Sequence, residues 1–183
     1  MLVPPLDYMW GKSTNQVSVI ETDARIPMKH ALSQFVVRLK VSPEYHNDGN
    51  LTSAKLKATG AKFATTGTMN LNDGGKITFQ PTSTELTWSP NTTVPAQGQQ
   101  AVDYAAAIYP MTLAAGEVSL EVVIDGATYT YAIPQITWEA GKRYIYSITM
   151  RSNDAEIGGE NGQSVTIEGW TSTEEDITLV PVK

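Results

Sequence analysis

The sequence predicts an all-β fold, an antiparallel β-sandwich with little helix, and three observations lead there. Fourteen glycines and ten prolines punctuate a chain rich in Thr, Ser, Val, Ile and Tyr, the composition of many short strands joined by turns. Two segments alternate with period two. Tyr144, Tyr146, Ile148 and Met150 share a face opposite Arg143, Ser147 and Thr149, and Val118, Leu120, Val122 and Ile124 stand opposite Ser119, Glu121 and Asp125. That period marks a strand with one buried face. Finally, Asp125-Gly126 is the dipeptide of a two-residue hairpin turn, whose residues take positive φ, and Tyr129, Tyr131 and Ile133 form the returning face.

The remaining elements follow in order. Residues 1–16 carry Pro4-Pro5 and Asp7-Tyr-Met-Trp10 without a sustained period and read as an arm or linker, leaving residues 17–183 as the domain. The only helical candidate is a turn or two around Lys29 to Ser33. Phe35, Val37, Leu39 and Val41 then alternate with Val36, Arg38 and Lys40 as a long strand, ended by Pro43 and Asn47-Asp-Gly49. Ala54, Leu56 and Ala58 against Lys55 and Lys57 make a second strand, broken at Gly60. A third runs from Phe63 to Leu71, with Phe63, Met69 and Leu71 in phase, and closes at Asn72-Asp-Gly-Gly75. Lys76 to Gln80 and Glu85 to Trp88 are short strands stopped by Pro81 and Pro90. Residues 89–101 are a polar surface excursion, after which Ala101 to Tyr109 re-enters the core and ends at Pro110. Gly141 launches the Tyr144 strand, expected to extend the Val118 hairpin into a three-stranded meander. Val165 with Ile167, and Ile177 with Leu179, supply two last strands. The total of about ten short strands at hairpin spacing suits a sandwich.

Composition and motif spacing argue against most chemistry. Thirteen basic against nineteen acidic residues leave a net charge of −6, unsuited to neutralising phosphates, so no nucleic-acid partner is expected. The absence of cysteine removes disulfides, thiolate nucleophiles and cysteine-ligated zinc. His30 and His46 stand sixteen apart without matching carboxylates and read as structural or exposed, so no metal or other cofactor is expected. Gly162-Gln-Ser164 lacks a nucleophile elbow's strand-to-helix setting, and Gly158-Gly-Glu-Asn-Gly162 lacks the Lys of a phosphate loop and reads as a hairpin loop. Glu174-Glu-Asp176 reads as a solvated acidic loop. No catalytic residues are assigned, and the chain is not expected to be an enzyme. Trp88 and Trp138 fit apolar alternation and belong to packing. Trp10, in the arm, is the candidate for an exposed contact or for docking against a preceding domain. No apolar run approaches the roughly 18 residues of a membrane span, and Met1-Leu-Val-Pro-Pro has no leader-like character.

One pattern is more specific. Trp138-Glu-Ala-Gly141-Lys142-Arg143-Tyr144, followed after a loop by Ile167-Glu-Gly169-Trp170, resembles the C-terminal strands of the fimbrillin-like fimbrial proteins of Bacteroides-type bacteria. His30-Ala-Leu32 ahead of a long strand and Gly67-Thr-Met-Asn-Leu71 are similar to further patterns of that family. The resemblance implies a transthyretin-like, Greek-key sandwich corresponding to the family's C-terminal domain, with His30 hydrogen bonding inward. It also implies an exported lipoprotein of the cell surface, of which this chain would be an inner portion that begins after the lipid-anchoring segment and N-terminal domain.

The function implied is that of a stalk, anchor or tip subunit of a surface fimbria, joined to other fimbrial subunits by β-strand addition. A host or bacterial surface glycan or protein would be the receptor. Strand addition holds an incoming segment by main-chain hydrogen bonds while alternate side chains fill a groove. The tail, with Ile177, Leu179, Val180 and Val182, is the candidate assembly strand, alongside the arm with Leu2, Val3 and Leu6. The alternative is that the tail completes its own sheet. The competing functional class is a monomeric carbohydrate-binding module of the cell surface.

Overall fold

A computed structural model describes residues 8–14, 18, 23–43, 45, 49–88, 92–93, 101–150, 155–157, 166–169 and 177–178. The calls on Leu2, Val3, Leu6, His46, most of the 89–101 excursion, Gly158–Gly162, Ser164, Val165, Trp170, Glu174–Asp176, Leu179, Val180 and Val182 lie outside the described residues. In chain order the strands are β1 (Met9–Gly11), β2 (Asp23–Ala24), β3 (Met28–His30), β4 (Ser33–Val41), β5 (Asn50–Ala58) and β6 (Phe63–Asn70). Then come β7 (Lys76–Ser83), β8 (Glu85–Trp88), β9 (Thr92–Thr93), β10 (Val102–Ile108), β11 (Met111–Leu113) and β12 (Val118–Ile124). The last are β13 (Ala127–Ala132), β14 (Ile136–Trp138), β15 (Lys142–Met150), β16 (Ala155–Ile157), β17 (Thr166–Gly169) and β18 (Ile177–Thr178). Among the described residues the only helical turn is a 3-10 turn at Leu71–Asp73.

Two five-stranded sheets make the sandwich. One has the order β10-β4-β15-β16, with β17 also on β15; the other has the order β13-β12-β5-β8, with β9 also on β5. Alternation decides which side chains meet between them. Phe35, Val37 and Leu39 of β4, Tyr144, Tyr146 and Ile148 of β15, and Leu120, Val122 and Ile124 of β12 are all fully buried in one cluster. Leu56 and Leu86 join it from β5 and β8, Leu56 lying between Leu120 and Leu86 and opposite each in register. Aliphatic and aromatic burial of this kind supplies the main driving force.

The largest departure from expectation concerns β15, which does not extend the β12–β13 hairpin. It pairs in parallel with β4, in the opposite sheet, with Tyr144 beside Phe35, Tyr146 beside Val37, Ile148 beside Leu39 and Met150 beside Val41. Every inward residue of one strand thus meets an inward residue of the other, and a slip by one position would turn the whole row outward. Parallel neighbours need a long crossover, which the intervening hundred or so residues provide here. The hairpin itself forms as expected, with Asp125 at φ 50° and Gly126 at φ 79°.

Four smaller expectations also change. Lys29–Ser33 is not helical: Met28–His30 is β3, which pairs with β1, so the arm expected at residues 1–16 contains a strand. Pro81 does not stop β7, because β6 and β7 form a two-stranded ribbon of their own, where a missing N–H is tolerated at a free edge. Leu71 leaves the strand for the 3-10 turn and is exposed. Two register shifts in β6 break the phase that would have carried it inward.

Candidate assembly interface

The aromatic corner around Trp138 and Tyr144 is a structural clamp. Phe35 stacks on Tyr146 with centroids 4.6 Å apart and meets Trp138 edge-on at 5.7 Å. The Trp138 indole N–H donates to the Tyr146 oxygen at 3.4 Å. Tyr144 accepts from the Glu139 amide at 2.8 Å and donates to the Thr137 carbonyl at 2.7 Å, spanning the turn before its own strand. Ser33 donates to the Glu139 carbonyl at 2.8 Å, and the Gly141 amide donates to the Leu32 carbonyl at 2.9 Å. Gly141 stands at φ 71°, where a glycine is favoured. Together these bonds fasten the 137–141 turn to the start of β4. Burial and the ring neighbours push the Tyr146 phenol far up, so it remains a neutral hydrogen-bonding group.

The two sheet margins differ in how their edges are guarded. β13 is an outer strand whose only ladder among the described residues is with β12. Its sequence, Ala127-Thr-Tyr-Thr-Tyr-Ala132, holds no charge, no proline and no bulge, and its threonines are exposed. Edges normally carry one of those guards because open main-chain N–H and C=O groups template a further strand. β10, the margin of the other sheet, is guarded differently. Its Asp103 takes Arg38 in a two-point contact at 2.6 and 2.8 Å and Arg143 at 2.7 Å. The Arg38 hydrogen bond is the main reason the Asp103 carboxyl sits below its ordinary range, with the two positive charges outweighing partial burial.

Two more electrostatic locks hold the second sheet. Across β5 and β12, Lys57 meets Glu121 at 2.5 Å, with Lys55 at 3.9 Å from the same residue. That bond lowers Glu121 and raises Lys57, though both are solvated and such pairs contribute little. At the hairpin turn, Asp125 accepts from Tyr45, from the Asn50 amide at 2.8 Å and from the Asn50 side chain at 3.1 Å. Desolvation pushes the Asp125 carboxyl up, but these donors together reverse it and leave it lowered. Tyr45 lies eighty positions from Asp125, and only the alternation-breaking position of an aromatic in a loop could have flagged it.

The structure separates the residues singled out in the sequence. Ile177 lies in β18, whose main chain pairs with β2, Ile177 opposite Ala24 and Thr178 opposite Asp23. Trp10 lies in β1, far along the chain from that tail, and is half-buried. Its ring covers Gly75, where an added Cβ would stand 2.2 Å from ring carbons, and Lys29 caps it at 5.6 Å from the centroid. Trp10 therefore touches the turn of the β6–β7 ribbon. His30 is buried at the end of β3, and Trp138 is fully buried. Among the described residues no group of three His, Cys, Asp or Glu could hold a metal ion. No helix among them is long and apolar enough to cross a membrane.

Comparisons with known proteins bear on this fold. No curated protein matches the sequence. A candidate cell adhesion protein of Bacteroides uniformis superposes with a TM-score of 0.55 at 15% identity, over 90% of this chain and 66% of that one. A second candidate cell adhesion protein, from Bacteroides ovatus, gives 0.55 at 19% identity, over 90% and 61%. These likenesses concern the fold, and the chain spans less than two thirds of those solved chains. The sequence matches the fimbrillin-like family over residues 3–170, nearly its whole length. This chain belongs to the fimbrillin-like family.

Proposed function

We propose that the protein is a structural and adhesive subunit of a bacterial surface fimbria, displayed outside the outer membrane and joined to neighbouring subunits by β-strand addition. Family membership supports the subunit role. The observation that supports the assembly route is β13: a regular, uncharged outer strand with exposed threonines, half-buried Tyr129 and Tyr131, and an outer edge that carries no ladder among the described residues. The candidate donor is the tail with Ile177, Leu179, Val180 and Val182. Burying Ile177 and Leu179 in a neighbour would contribute about 3–6 kcal/mol before ordering costs. Its release from β2 would break a ladder that spans two residues among the described ones.

The test compares three proteins by light scattering with companion subunits: the unaltered chain, one lacking residues 176–183, and Thr130→Pro on β13. Incorporation of the unaltered chain alone supports both donor and acceptor. Equal incorporation of all three would remove strand addition through these elements, and no incorporation of any would remove the subunit role.

A further inference from the structure

We propose that the cavity between the β6–β7 ribbon and the body of the domain is a subsite for one ring of an uncharged saccharide. Its volume is about 270 Å³, and the described residues that line it include Tyr8, Thr65, Thr66, Gly67, Thr68 and Tyr109. This deepens the adhesive part of the fimbrial reading, on which it rests only for the setting in which the ligand is met.

The ribbon's irregular register builds the site. Ala64 faces Pro81 and Gly67 faces Phe79, so Thr65 and Thr66 together oppose the single residue Gln80. A bulge of this kind re-aims side chains, which is how two consecutive threonines both come to line one cavity. Gly67 holds the opposite wall close: an added Cβ would lie 3.1 Å from the Tyr109 ring and 3.2 Å from its hydroxyl. Phe79 packs on the same ring at 5.3 Å and steadies it.

The chemistry of the lining selects the ligand. Five of the described lining residues carry hydroxyls, Tyr8, Thr65, Thr66, Thr68 and Tyr109, and none of these is engaged by another side chain among the described residues. Each can donate and accept, which matches a ligand made of hydroxyls. Burial and the nearby Tyr8 push the Tyr109 phenol up, keeping it a neutral donor. Tyr8 is 49% exposed and offers a ring face for stacking, while Leu32, Met69 and Ile77 supply apolar contact. Among the described residues no charged side chain lines the cavity, so a carboxylated, sulfated or amino ligand would lose hydration without gaining a counter-charge from them. The volume falls below the roughly 300 Å³ at which sites for drug-sized ligands begin, which fits a single ring.

The experiment is a titration of the ¹⁵N-labelled full chain, followed by amide shifts. The probes are methyl glycosides of neutral hexoses and N-acetylhexosamines, glucuronate, and an uncharged extended hexapeptide. At least one neutral glycoside should shift the Thr65–Met69 amides with a Kd on the order of 1–10 mM. Tyr8→Ala should weaken it at least about fivefold and Thr68→Val about threefold, with the remaining spectrum unchanged. No shift with any neutral glycoside, undiminished binding in Tyr8→Ala, or equal binding of glucuronate would overturn the proposal. Shifts with the peptide alone would overturn it too, in favour of strand capture by the open edge of β6. Sugar binding by a chain that fails to polymerise would leave this site standing and the fimbrial reading fallen.

Discussion

Tyr144 closes the turn that precedes its own strand by bonding Glu139: the Glu139 amide donates to its oxygen while its hydroxyl donates on to the Thr137 carbonyl. One side chain thereby satisfies two main-chain groups that the bend would otherwise leave without partners. The Gly141-Lys-Arg-Tyr144 entry thus has a folding role in this chain.

Tyr144→Phe keeps the ring, which is buried, and deletes both bonds. Leaving a part-buried amide unmade should cost about 1–3 kcal/mol. Urea denaturation should show a lower midpoint at unchanged slope. An unchanged midpoint would mean water replaces the hydroxyl and the clamp is dispensable.

Gly75→Ala tests the seat of Trp10. The glycine stands at φ 73°, and the Trp10 ring occupies the space a methyl would need. Backbone strain and ring displacement act together, so a loss of at least about 1 kcal/mol is expected. Trp10 fluorescence should shift to the red as the ring leaves the turn. A blue-shifted or unaltered spectrum, read against Trp10→Phe to isolate its signal, would place the ring elsewhere.

Asp103→Asn addresses acid stability. Because folding lowers the Asp103 pKa below its ordinary 3.8, the folded state gains stability above that value and loses it as pH falls through the lowered one. The variant should therefore be less stable than the parent near neutral pH, and the gap should shrink as the pH falls below about 4. Arg38, Asp103 and Arg143 are about 30% exposed, so solvent screening keeps the neutral-pH difference near the surface-pair range of about 1 kcal/mol. Thermal midpoints across the acid range measure it; a gap that widens with acid contradicts the assignment.

Much of the sandwich was legible in advance for a local reason. Phe35 to Val41, Val118 to Ile124 and Tyr144 to Met150 each declare a buried face by alternation, and those faces are buried, although Val36, expected on the opposite face, is fully buried as well. The bulged third strand was less legible: its shifts at Ala64 and Gly67 reflect contact with β7 and the body, so Leu71 was placed inward wrongly. The candidate interface was read only in part. The tail was visible as an alternating apolar segment, whereas β13 gained its meaning from having no second ladder among the described residues. The saccharide subsite was invisible, because Tyr8, Gly67 and Tyr109 are distant in sequence and share no spacing.

The residues alone determined an all-β chain, the strands' inward faces, the Asp125-Gly126 hairpin and the family to which it belongs. Tertiary structure decided which strands are neighbours: β15 beside β4 in parallel, Trp10 over Gly75, Tyr45 on Asp125. The physical reason is that side-chain alternation encodes burial, while the hydrogen bonds that join strands come from a main chain identical at every position. Neighbours are therefore chosen by how whole rows of side chains fit, a property no single segment contains.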